Sequence, residues 1–501
     1  MRILHLSSLY PPEQVGGAEL MVETLARTQA GLGHAVAVAC TARQEAAPVV
    51  QDGVTVYRTG YGTPFHILDW PEHGRLDRLR YKLATQWNPT SLARMAAAVR
   101  AFEPDVVNTH SISELPPTLW PMLAQLGVPV VHTLHDFTSL CTNGAMARHG
   151  KACAGQHLKC RIYAEPHRRC QRAISAVAAV GTDLLARHLA AGFFGAVPDG
   201  LRRVIWNPIP SRPHAARRTR PPGEPVRFGY LGRIEASKGV DILLAACRRL
   251  PPQGWSLTVA GRAADGLDRY RALTEGLPVS FAGFAERDAF LDGIDCLVVP
   301  PIWPEPFGRT VAEAYGSGVP VIGTAIGGIG EQIGPGPWLV PPGDDAALAS
   351  AMARIVAEPR RLAEGLSRAD AIRAGTDPAA VASAYLDLYA ATRDAAQPKP
   401  LATHRRVRHG ATGPLSRAGE GWGEGRELSE QGAPSTHRQG ASRPESSRSS
   451  PCPSPARERG PALHPAATAP HTMCEPDGRT GNSESGSPAR AERPQLSECR
   501  P

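Results

Sequence analysis

Short apolar runs alternate with segments of helical periodicity along the first 210 residues. The apolar runs at 2–9, 35–39, 105–110 and 129–136 have the length of buried strands, and residues 18–32 carry apolar side chains at helical spacing. Strands that alternate with helices are typical of parallel, doubly wound sheets. We therefore predict a doubly wound α/β domain over residues 1–210.

The same alternation starts again after a break in the pattern. Residues 211–225 are rich in Pro and Arg without periodicity and are predicted to be a linker. A second doubly wound domain is predicted over 226–375 and a terminal helix over 376–395. Apolar runs predict strands at 226–233, 256–260, 279–283, 296–300 and 320–324, after a last strand of the first half at 204–208, whereas Gly327–Gly330 is interpreted as a turn.

The last segment, 396–501, has a different composition. Only six of its 106 residues are Leu, Val, Ile or Phe, while Pro, Gly, Ser and Arg dominate. Such a segment cannot bury enough apolar surface to offset the entropy of ordering, so a disordered C-terminal tail is predicted. Residues 413–425 resemble translated intergenic repeat sequence, and no function is assigned to the tail.

Composition and charge exclude several classes of protein. Hydrophobic residues make up 42% of the 501 residues, and no apolar run approaches the roughly 20 residues of a membrane span. Residues 1–4 begin a strand instead of a signal peptide, so we expect a cytoplasmic protein, with peripheral contact at the inner face of the membrane as an open alternative. The net charge of +8 is mild, and no basic block is interleaved with aromatics, which argues against nucleic-acid binding.

The candidate chemistry centres on the stretch Pro304–Ala314, which follows an apolar run. Pro306 and Gly308 predict a tight turn into a helix, whose first N–H groups and positive dipole end attract phosphate. Glu305 in the turn and Glu313 in the helix flank this anion site, and carboxylates can accept pairs of hydroxyls. A nucleotide sugar has phosphate in the middle and hydroxyls at both ends. A solvated turn glutamate plus a helix-end glutamate is the alternative.

Other polar side chains follow predicted strands. His110, His135 and Asp136 lie at strand ends, which face the ligand crevice of open α/β sheets, although a hydrogen-bonded structural histidine is the common alternative. Arg233 and Lys238 follow the first strand of the second half, where two cations fit a diphosphate, and two solvated charges are the alternative.

A cysteine cluster lies in the first half. Cys141, Cys153, Cys160 and Cys170 lack the C-x₂₋₄-C spacing of strong zinc sites. Reduced thiols are therefore the expected state, with a structural metal left open.

The motif E-P-F-G-R-T-V-A-E-A, continued by G-S-G-V-P-V-I-G-T, resembles the paired-glutamate motif of family 4 retaining glycosyltransferases. The sequence G-R-(x)₄-K-G at 232–239 is similar to that family's diphosphate-binding pair. The resemblance covers roughly residues 1–392. It implies a GT-B fold, in which two Rossmann-like, doubly wound domains face each other across a cleft and the terminal helix crosses back to the first domain.

The resemblance also implies roles for individual residues. Glu305 is expected to bind the donor sugar and Glu313 the ribose, and His110 is expected to face the acceptor. In the implied site, Arg233 and Lys238 neutralise the leaving diphosphate without a metal or another cofactor, so that these residues, Glu305 and His135 form the catalytic set. The remaining expected donor contacts are Gly16, Gly17, Gly261, Phe307, Gly308, Arg309 and Thr310.

The function implied is that of a retaining, metal-independent hexosyltransferase. It moves a sugar from a nucleoside diphosphate sugar to a glycan or lipid-linked hydroxyl acceptor in bacterial surface polysaccharide or glycolipid synthesis. A catalytically idle homologue that binds nucleotide sugar as a partner subunit is the alternative, and the intact set of Arg233, Lys238, Glu305 and Glu313 counts against it. A nicotinamide oxidoreductase is disfavoured because G-x-G-x-x-G is missing.

Overall fold

A computed structural model gives the fold of the chain. It describes residues 1–396 except 15, 149–150, 211–220, 222 and 264–265. The predicted tail, apart from residue 396, and most of the predicted linker therefore lie outside the described residues.

The first half is built on an eight-stranded sheet in the order β10-β9-β6-β5-β1-β2-β4-β3. All neighbouring strands pair in parallel except β3 and β4, and β7 and β8 form a separate antiparallel pair. The strands of this half are β1 (Arg2–Ser7), β2 (Ala35–Ala42), β3 (Val49–Gln51), β4 (Val54–Gly60), β5 (Val106–Thr109), β6 (Val130–Leu134), β7 (Ala147–Arg148), β8 (Lys151–Ala152), β9 (Ala176–Ala179) and β10 (Arg202–Val204).

Helices connect the parallel strands of this sheet. Apolar side chains of α1, among them Met21, Val22 and Leu25, are completely buried, because they recur at the spacing that places them on one helix face. The helices of this half are α1 (Gly17–Gly31), α2 (Arg75–Ala84), α3 (Pro89–Phe102), α4 (Leu119–Gln125), α5 (Leu158–Cys170) and α6 (Thr182–Ala190).

The second half is built on a six-stranded parallel sheet in the order β13-β12-β11-β14-β15-β16. Its strands are β11 (Val226–Leu231), β12 (Trp255–Ala260), β13 (Val279–Gly283), β14 (Cys296–Val299), β15 (Val321–Thr324) and β16 (Leu339–Val340). Its helices are α7 (Val240–Cys247), α8 (Asp268–Ala272), α9 (Arg287–Asp292), α10 (Arg309–Gly316), α11 (Gly327–Ile333), α12 (Asp345–Ala357), α13 (Ala369–Thr376) and α14 (Pro378–Ala396).

The last helix, α14, packs against α1 of the first half. Its Tyr385 and Tyr389 are completely buried, and Nδ2 of Asn108, on β5, donates to Oη of Tyr389 at 2.7 Å. With the two sheets, this contact supports our proposal of 1–210 and 226–375 as the domains and 376–395 as the returning helix. In the described part of the chain, no helix has the length and apolarity to cross a membrane.

Two sequence-based assignments are wrong. The strand predicted at 204–208 lies instead at Arg202–Val204; the N–H of Ile205 still donates to the carbonyl of Ala179 of β9, and residues 206–208 lie outside the strand. Gly327–Gly330 is the start of α11 instead of a turn. Glycine has a low helix propensity, which is why the sequence did not predict a helix here. The glycines are needed because they let this helix approach another backbone segment closely.

Candidate active site

An ion pair lies at the carboxyl ends of β11 and β14. Nζ of Lys238 is 2.9 Å from Oε1 of Glu305, and both side chains are mostly buried, with exposed fractions of 18% and 20%. Nζ also lies 5.0 Å from the centre of the Trp303 ring. The structure thus brings together two residues that are 67 positions apart and that the sequence assigns to the diphosphate and the sugar.

The loops that carry this pair are fixed to each other. Gly239 has a φ of +74°, and a Cβ atom there would overlap the carbonyl of Pro300, so only glycine fits. The N–H of Ile302 donates to the carbonyl of Ser237 at 3.0 Å. Lys238 is therefore held beside the turn that contains Glu305.

Arg233 lies differently from what its sequence position suggests. The strand β11 ends at Leu231, and the Arg233 side chain is 68% exposed, with Nη2 3.3 Å from Oε1 of Glu235. Arg233 therefore points to solvent in this structure, and its pairing with Lys238 on a diphosphate stays a prediction.

Glu313 is engaged by two guanidinium groups. Its Oε1 is 2.7 Å from Nε of Arg309, one helical turn earlier, and 3.4 Å from Nη1 of Arg287. The glutamate side chain is only 9% exposed, and its charge is therefore compensated inside the protein. The helix begins at Arg309 because Gly308, with φ +80°, turns the chain into it.

Two hydrogen-bond donors, one beside Lys238 and one on the partner of Glu313, are buried and without an acceptor among the residues that the structure describes. They are Nη1 of Arg309 and Nε1 of Trp303. Buried donors usually have partners, and contact of these two with a ligand oxygen stays a prediction. The sequence predicted Arg309 but missed Trp303, which its position two residues before Glu305 could have suggested.

The remaining residues predicted to contact the donor differ in how far their side chains are buried. A Cβ atom on Gly17, at the start of α1, would lie 3.3 Å from Cδ of Arg309, so this loop of the first half meets α10. Phe307 is buried, with its ring 6.3 Å from that of Trp206, which leaves its backbone to meet a ligand.

Three further predicted donor contacts are placed by backbone geometry. Gly16 is the N-cap of α1 and donates its N–H to Oε2 of Glu19 at 3.1 Å. Gly261 packs against the carbonyl of Gly232, and Thr310 is half-buried in the first turn of α10. The binding roles of these residues stay predictions.

The helix α11 supports the turn that carries Glu305. The N–H of Gly328 donates to the carbonyl of Glu305 at 2.8 Å, and a Cβ atom on Gly328 would lie 2.7 Å from Cα of Phe307. From the same helix, Glu331 accepts hydrogen bonds from Thr182 N at 2.8 Å and Trp206 Nε1 at 3.0 Å, both in the first half. Sequence reasoning missed this link between the two halves.

We expect Gly328→Ala to disturb the site and Gly330→Ala to leave it intact. The new methyl at position 328 meets backbone atoms that cannot yield, and overpacking of this kind costs about 1–3 kcal/mol, more than the roughly 1 kcal/mol that alanine gains over glycine in a helix. At position 330 the nearest heavy atom would be at 3.6 Å, an ordinary contact.

The measurement is denaturant unfolding of both variants together with donor turnover. A misplaced turn should lower turnover by about 10²-fold in Gly328→Ala alone. Equal stability and turnover of the two variants would show that α11 does not position Glu305.

The predicted histidines belong to a buried chain of hydrogen bonds. Nε2 of His135 lies 3.0 Å from Nδ1 of His110, and Nε2 of His110 lies 2.9 Å from Nδ1 of His5. Nε2 of His5 lies 2.9 Å from Oε1 of Gln29. Burial lowers the pKa of His5 and of His135 to about 4 and that of His110 well below its ordinary value. The chain is therefore neutral at pH 7, and its last member, His135, is half-buried.

The cysteine cluster is spread over the loop after β6 and over α5. Cys141 and Cys160 are buried, and Sγ of Cys153 lies 3.6 Å from Nε2 of His157. Outside the gaps named above, which include His149, no three His, Cys, Asp or Glu side chains are grouped to hold a metal ion. The expectation of reduced thiols without a metal stays a prediction.

Comparison with known proteins identifies the class to which this fold and site belong. A model described as glycosyl transferases group 1 matches residues 225–358, and one described as a glycosyl transferase 4-like domain matches residues 16–208. The chain belongs to the family 4, group 1 glycosyltransferases of GT-B fold, as the paired-glutamate motif predicted.

Several characterised and uncharacterised relatives align over much of the chain. Glycogen synthase of Mycobacterium tuberculosis is 29% identical over 80% of this chain and 97% of its own length. The 2-deoxystreptamine N-acetyl-D-glucosaminyltransferase of Streptomyces fradiae is 30% identical over 57% of this chain and 72% of its own. An uncharacterised protein in the cps region of Klebsiella pneumoniae is 23% identical over 66% of this chain and 87% of its own.

Solved structures share the fold. Sucrose-phosphate synthase of Thermosynechococcus elongatus has a TM-score of 0.60 at 21% identity and covers 79% of this chain and 100% of its own. Anabaena HepE, in complex with UDP and glucose, has a TM-score of 0.54 at 20% identity and covers 78% of this chain and 99% of its own. At this identity the likeness establishes the GT-B fold.

Proposed function

We propose that the chain transfers a hexose from a nucleoside diphosphate sugar to a hydroxyl acceptor, with retention of anomeric configuration and without a metal. The observation that carries this proposal is the ion pair between Lys238 and Glu305 beside the N-terminus of α10. A donor diphosphate would take Lys238 as its counter-ion, and the sugar hydroxyls would take Glu305 as their acceptor.

The leaving diphosphate gains negative charge as the bond to the sugar breaks. Lys238, the first N–H groups of α10 and the buried donor Nη1 of Arg309 are preorganised positive groups on this side of the cleft. Fixed donors of this kind stabilise developing charge without reorganisation, which is the largest contribution in many enzymes. They supply the stabilisation that metal-dependent transferases obtain from a cation.

The acceptor hydroxyl is proposed to attack from the face that the diphosphate leaves. The first half supplies that side of the cleft through His135 and, behind it, His110, which is almost completely buried. His110 therefore acts through His135 in this proposal, since its ring is not exposed to an acceptor. A glycan or a lipid-linked glycan is the proposed acceptor in surface polysaccharide synthesis, which the relative in a cps region supports.

The deciding experiment is donor consumption in buffer that contains EDTA, across UDP- and GDP-sugars, with and without acceptor. NMR of the product gives its anomeric configuration. The proposal expects turnover of one donor class with retention. A homologue that acts only as a binding subunit would bind nucleotide sugar in the same assay without consuming it, and metal-dependent turnover would overturn the role given to Lys238.

Glu305→Gln and Glu313→Gln should separate turnover from donor binding. Hydrogen bonds from the sugar to Glu305 strengthen as the anomeric carbon gains positive charge, so Glu305→Gln should mainly lower kcat. Glu313→Gln should raise the donor Kd by about 10-fold or more, because one charge-assisted hydrogen bond contributes about 1.5–3 kcal/mol. Steady-state kinetics and calorimetry measure both quantities.

The structure adds a control to this comparison. Glu313 also compensates Arg309 and Arg287, so its replacement should lower the free energy of unfolding, whereas Glu305 has one ion-pair partner, Lys238, among the residues that the structure describes. Replacing Arg287, whose Nη1 lies 3.4 Å from Oε1 of Glu313, removes part of this charge compensation and leaves the glutamate in place. It therefore distinguishes a loss of stability from a loss of the ribose contact. Equal effects of both glutamine variants on kcat would refute the division of roles.

A further inference from the structure

Exposed apolar side chains are concentrated on one surface of the first half. In the part of the chain that the structure describes, six large hydrophobic residues of α2, α5 and the turn after α2 are at least 57% exposed, whereas other exposed ones are scattered. We call these six the apolar ridge: Leu76, Leu79, Leu83, Trp87, Leu158 and Ile162. Exposed apolar residues that cluster on neighbouring helices are typical of an interaction site.

The leucines of α2 form one stripe along the helix. Leu76, Leu79 and Leu83 are spaced by three and four residues, so they share a face, and Trp87 continues beyond the helix end. The opposite face carries Tyr81, which is buried against the ring of Phe65 at 4.8 Å. The helix is therefore anchored by one face and presents the other outwards.

The second helix of the ridge is a neighbour of the first. On α5, Leu158 and Ile162 are one turn apart and both exposed. Tyr163, next to Ile162, lies beside Gln86 and Tyr81 of the α2 segment. The two helices are therefore neighbours, and each exposes its own apolar stripe.

Basic side chains flank both stripes. At about 100° per residue, Arg75 and Arg80 lie on either side of the α2 leucines, and Lys159 and Arg161 lie on either side of the α5 pair. All four are exposed. Arg148 and Lys151, which precede α5, are also exposed. Asp77 pairs with Arg80 at 3.5 Å and Glu165 with Arg169 at 2.8 Å, but basic side chains outnumber acidic ones on both helices.

We propose that the apolar ridge docks the enzyme on a lipid bilayer that contains anionic headgroups. Apolar side chains on one helix face with basic flanks lie in the plane of the bilayer interface, where lysine and arginine are attracted to anionic lipids and tryptophan is favoured. A second copy of this chain is a poorer occupant, because its basic flanks would meet those of the first.

The position of the ridge relates it to the acceptor, an argument that rests on the proposed function. Lys82 of α2 and Tyr163 of α5 both lie close enough to Asp136 to interact with its charge, and Asp136 follows His135 in the cleft. An acceptor held in the bilayer by its lipid would therefore present its glycan to the first half without leaving the membrane.

The test is co-sedimentation of the full chain with phosphatidylcholine vesicles, with and without phosphatidylglycerol. We expect binding to the anionic vesicles, weakened by salt, and a loss of at least tenfold in the triple variant Leu79→Ser/Leu83→Ser/Trp87→Ser. The control Leu32→Ser/Val50→Ser removes exposed apolar residues elsewhere and should bind like the wild type. Arg75→Gln/Arg80→Gln/Lys159→Gln/Arg161→Gln should lose the preference for anionic vesicles.

Three results would overturn the proposal. These are failure of the wild type to bind anionic vesicles, equal binding by the triple variant and its control, and light scattering in which the triple variant dissociates a dimer. Donor consumption without acceptor is measured in parallel and should be unchanged by the triple variant. Vesicle binding by a chain that consumes no donor would refute the proposed transfer reaction and leave the docking surface standing.

Discussion

Replacing Lys238 by alanine is expected to lower turnover by about 10²–10³-fold, or about 2.7–4 kcal/mol of activation free energy, the cost of losing one preorganised donor to developing charge. The variant also leaves Glu305 without the partner that lies at 2.9 Å in the structure. Its carboxylate would then repel the diphosphate, so the nucleoside diphosphate product should bind more weakly as well.

The same experiment decides the role of Arg233. We expect Arg233→Ala to cost as much as Lys238→Ala, because the exposed Arg233 side chain can rotate away from Glu235 onto a bound diphosphate. Arg233→Lys should recover only part of the loss, since an ammonium group cannot reproduce two parallel hydrogen bonds.

All of these variants are compared by steady-state turnover in EDTA, with Arg248→Ala as the control. Arg248 is an exposed arginine of the same half that binds the carbonyl of Leu273. Near-normal turnover of Lys238→Ala would place the diphosphate elsewhere. Near-normal turnover of Arg233→Ala alone would leave Lys238 and α10 as the diphosphate site.

The free energy of unfolding is expected to fall steeply as the pH drops from about 6.5 towards 4. Burial lowers the pKa of His34 and, more strongly, that of six further histidines of the first half, so the unfolded chain binds protons in this range and the folded chain does not. The sign is that of a depressed folded pKa: the stability is complete above the unfolded value and is lost on acidification. The pKa is about 4 for His5, His135, His167 and His188, about 3 for His132, and well below the ordinary value for His110.

The expected loss is large. Each histidine contributes about 1.4 kcal/mol for each pH unit below its ordinary pKa, so at pH 5.5 the six together approach the whole stability of a typical domain, about 5–15 kcal/mol. Glu114 and Asp136 act in the opposite direction, because burial raises the pKa of both carboxyls, yet two groups oppose six.

Denaturant unfolding from pH 8 to pH 5 measures this slope. In His188→Gln the slope should fall by about one proton, because this buried ring no longer titrates. The difference at pH 8 reports the packing lost beside Phe137 and Phe194 and is separate from the slope. A stability that is constant from pH 7 to pH 5 would show that these imidazoles are solvated.

The parts of the site that the sequence could predict are those with local signals. Glu305, Gly308 and Glu313 lie within nine residues, and the turn and helix between them follow from Pro306 and Gly308. Lys238 was found because it follows a strand and precedes a glycine. The periodicity of the apolar runs likewise predicted that both halves contain a sheet. It did not predict the order of the strands within each sheet.

The parts that the sequence could not predict depend on contacts between distant segments. His5 contacts Gln29 across 24 positions and His110 across 105 positions, and nothing in their local pattern marks them. Glu331 contacts Thr182 from 149 positions away, in a helix that its glycines concealed. The exposure of Arg233 could not be predicted, because the direction of its side chain depends on the loop after β11, which periodicity does not describe.

The chain of Gln29, His5, His110 and His135 has a consequence for the cleft, since one ring nitrogen of each neutral imidazole carries the proton. With Oε1 of Gln29 accepting from Nε2 of His5, Nδ1 of His5 must accept from Nε2 of His110. Nδ1 of His110 must in turn accept from Nε2 of His135. The tautomer of His135 is thereby fixed with an unprotonated Nδ1, to which a sugar hydroxyl can only donate. Reversing one buried amide in α1 would invert every ring in the series and present an N–H instead.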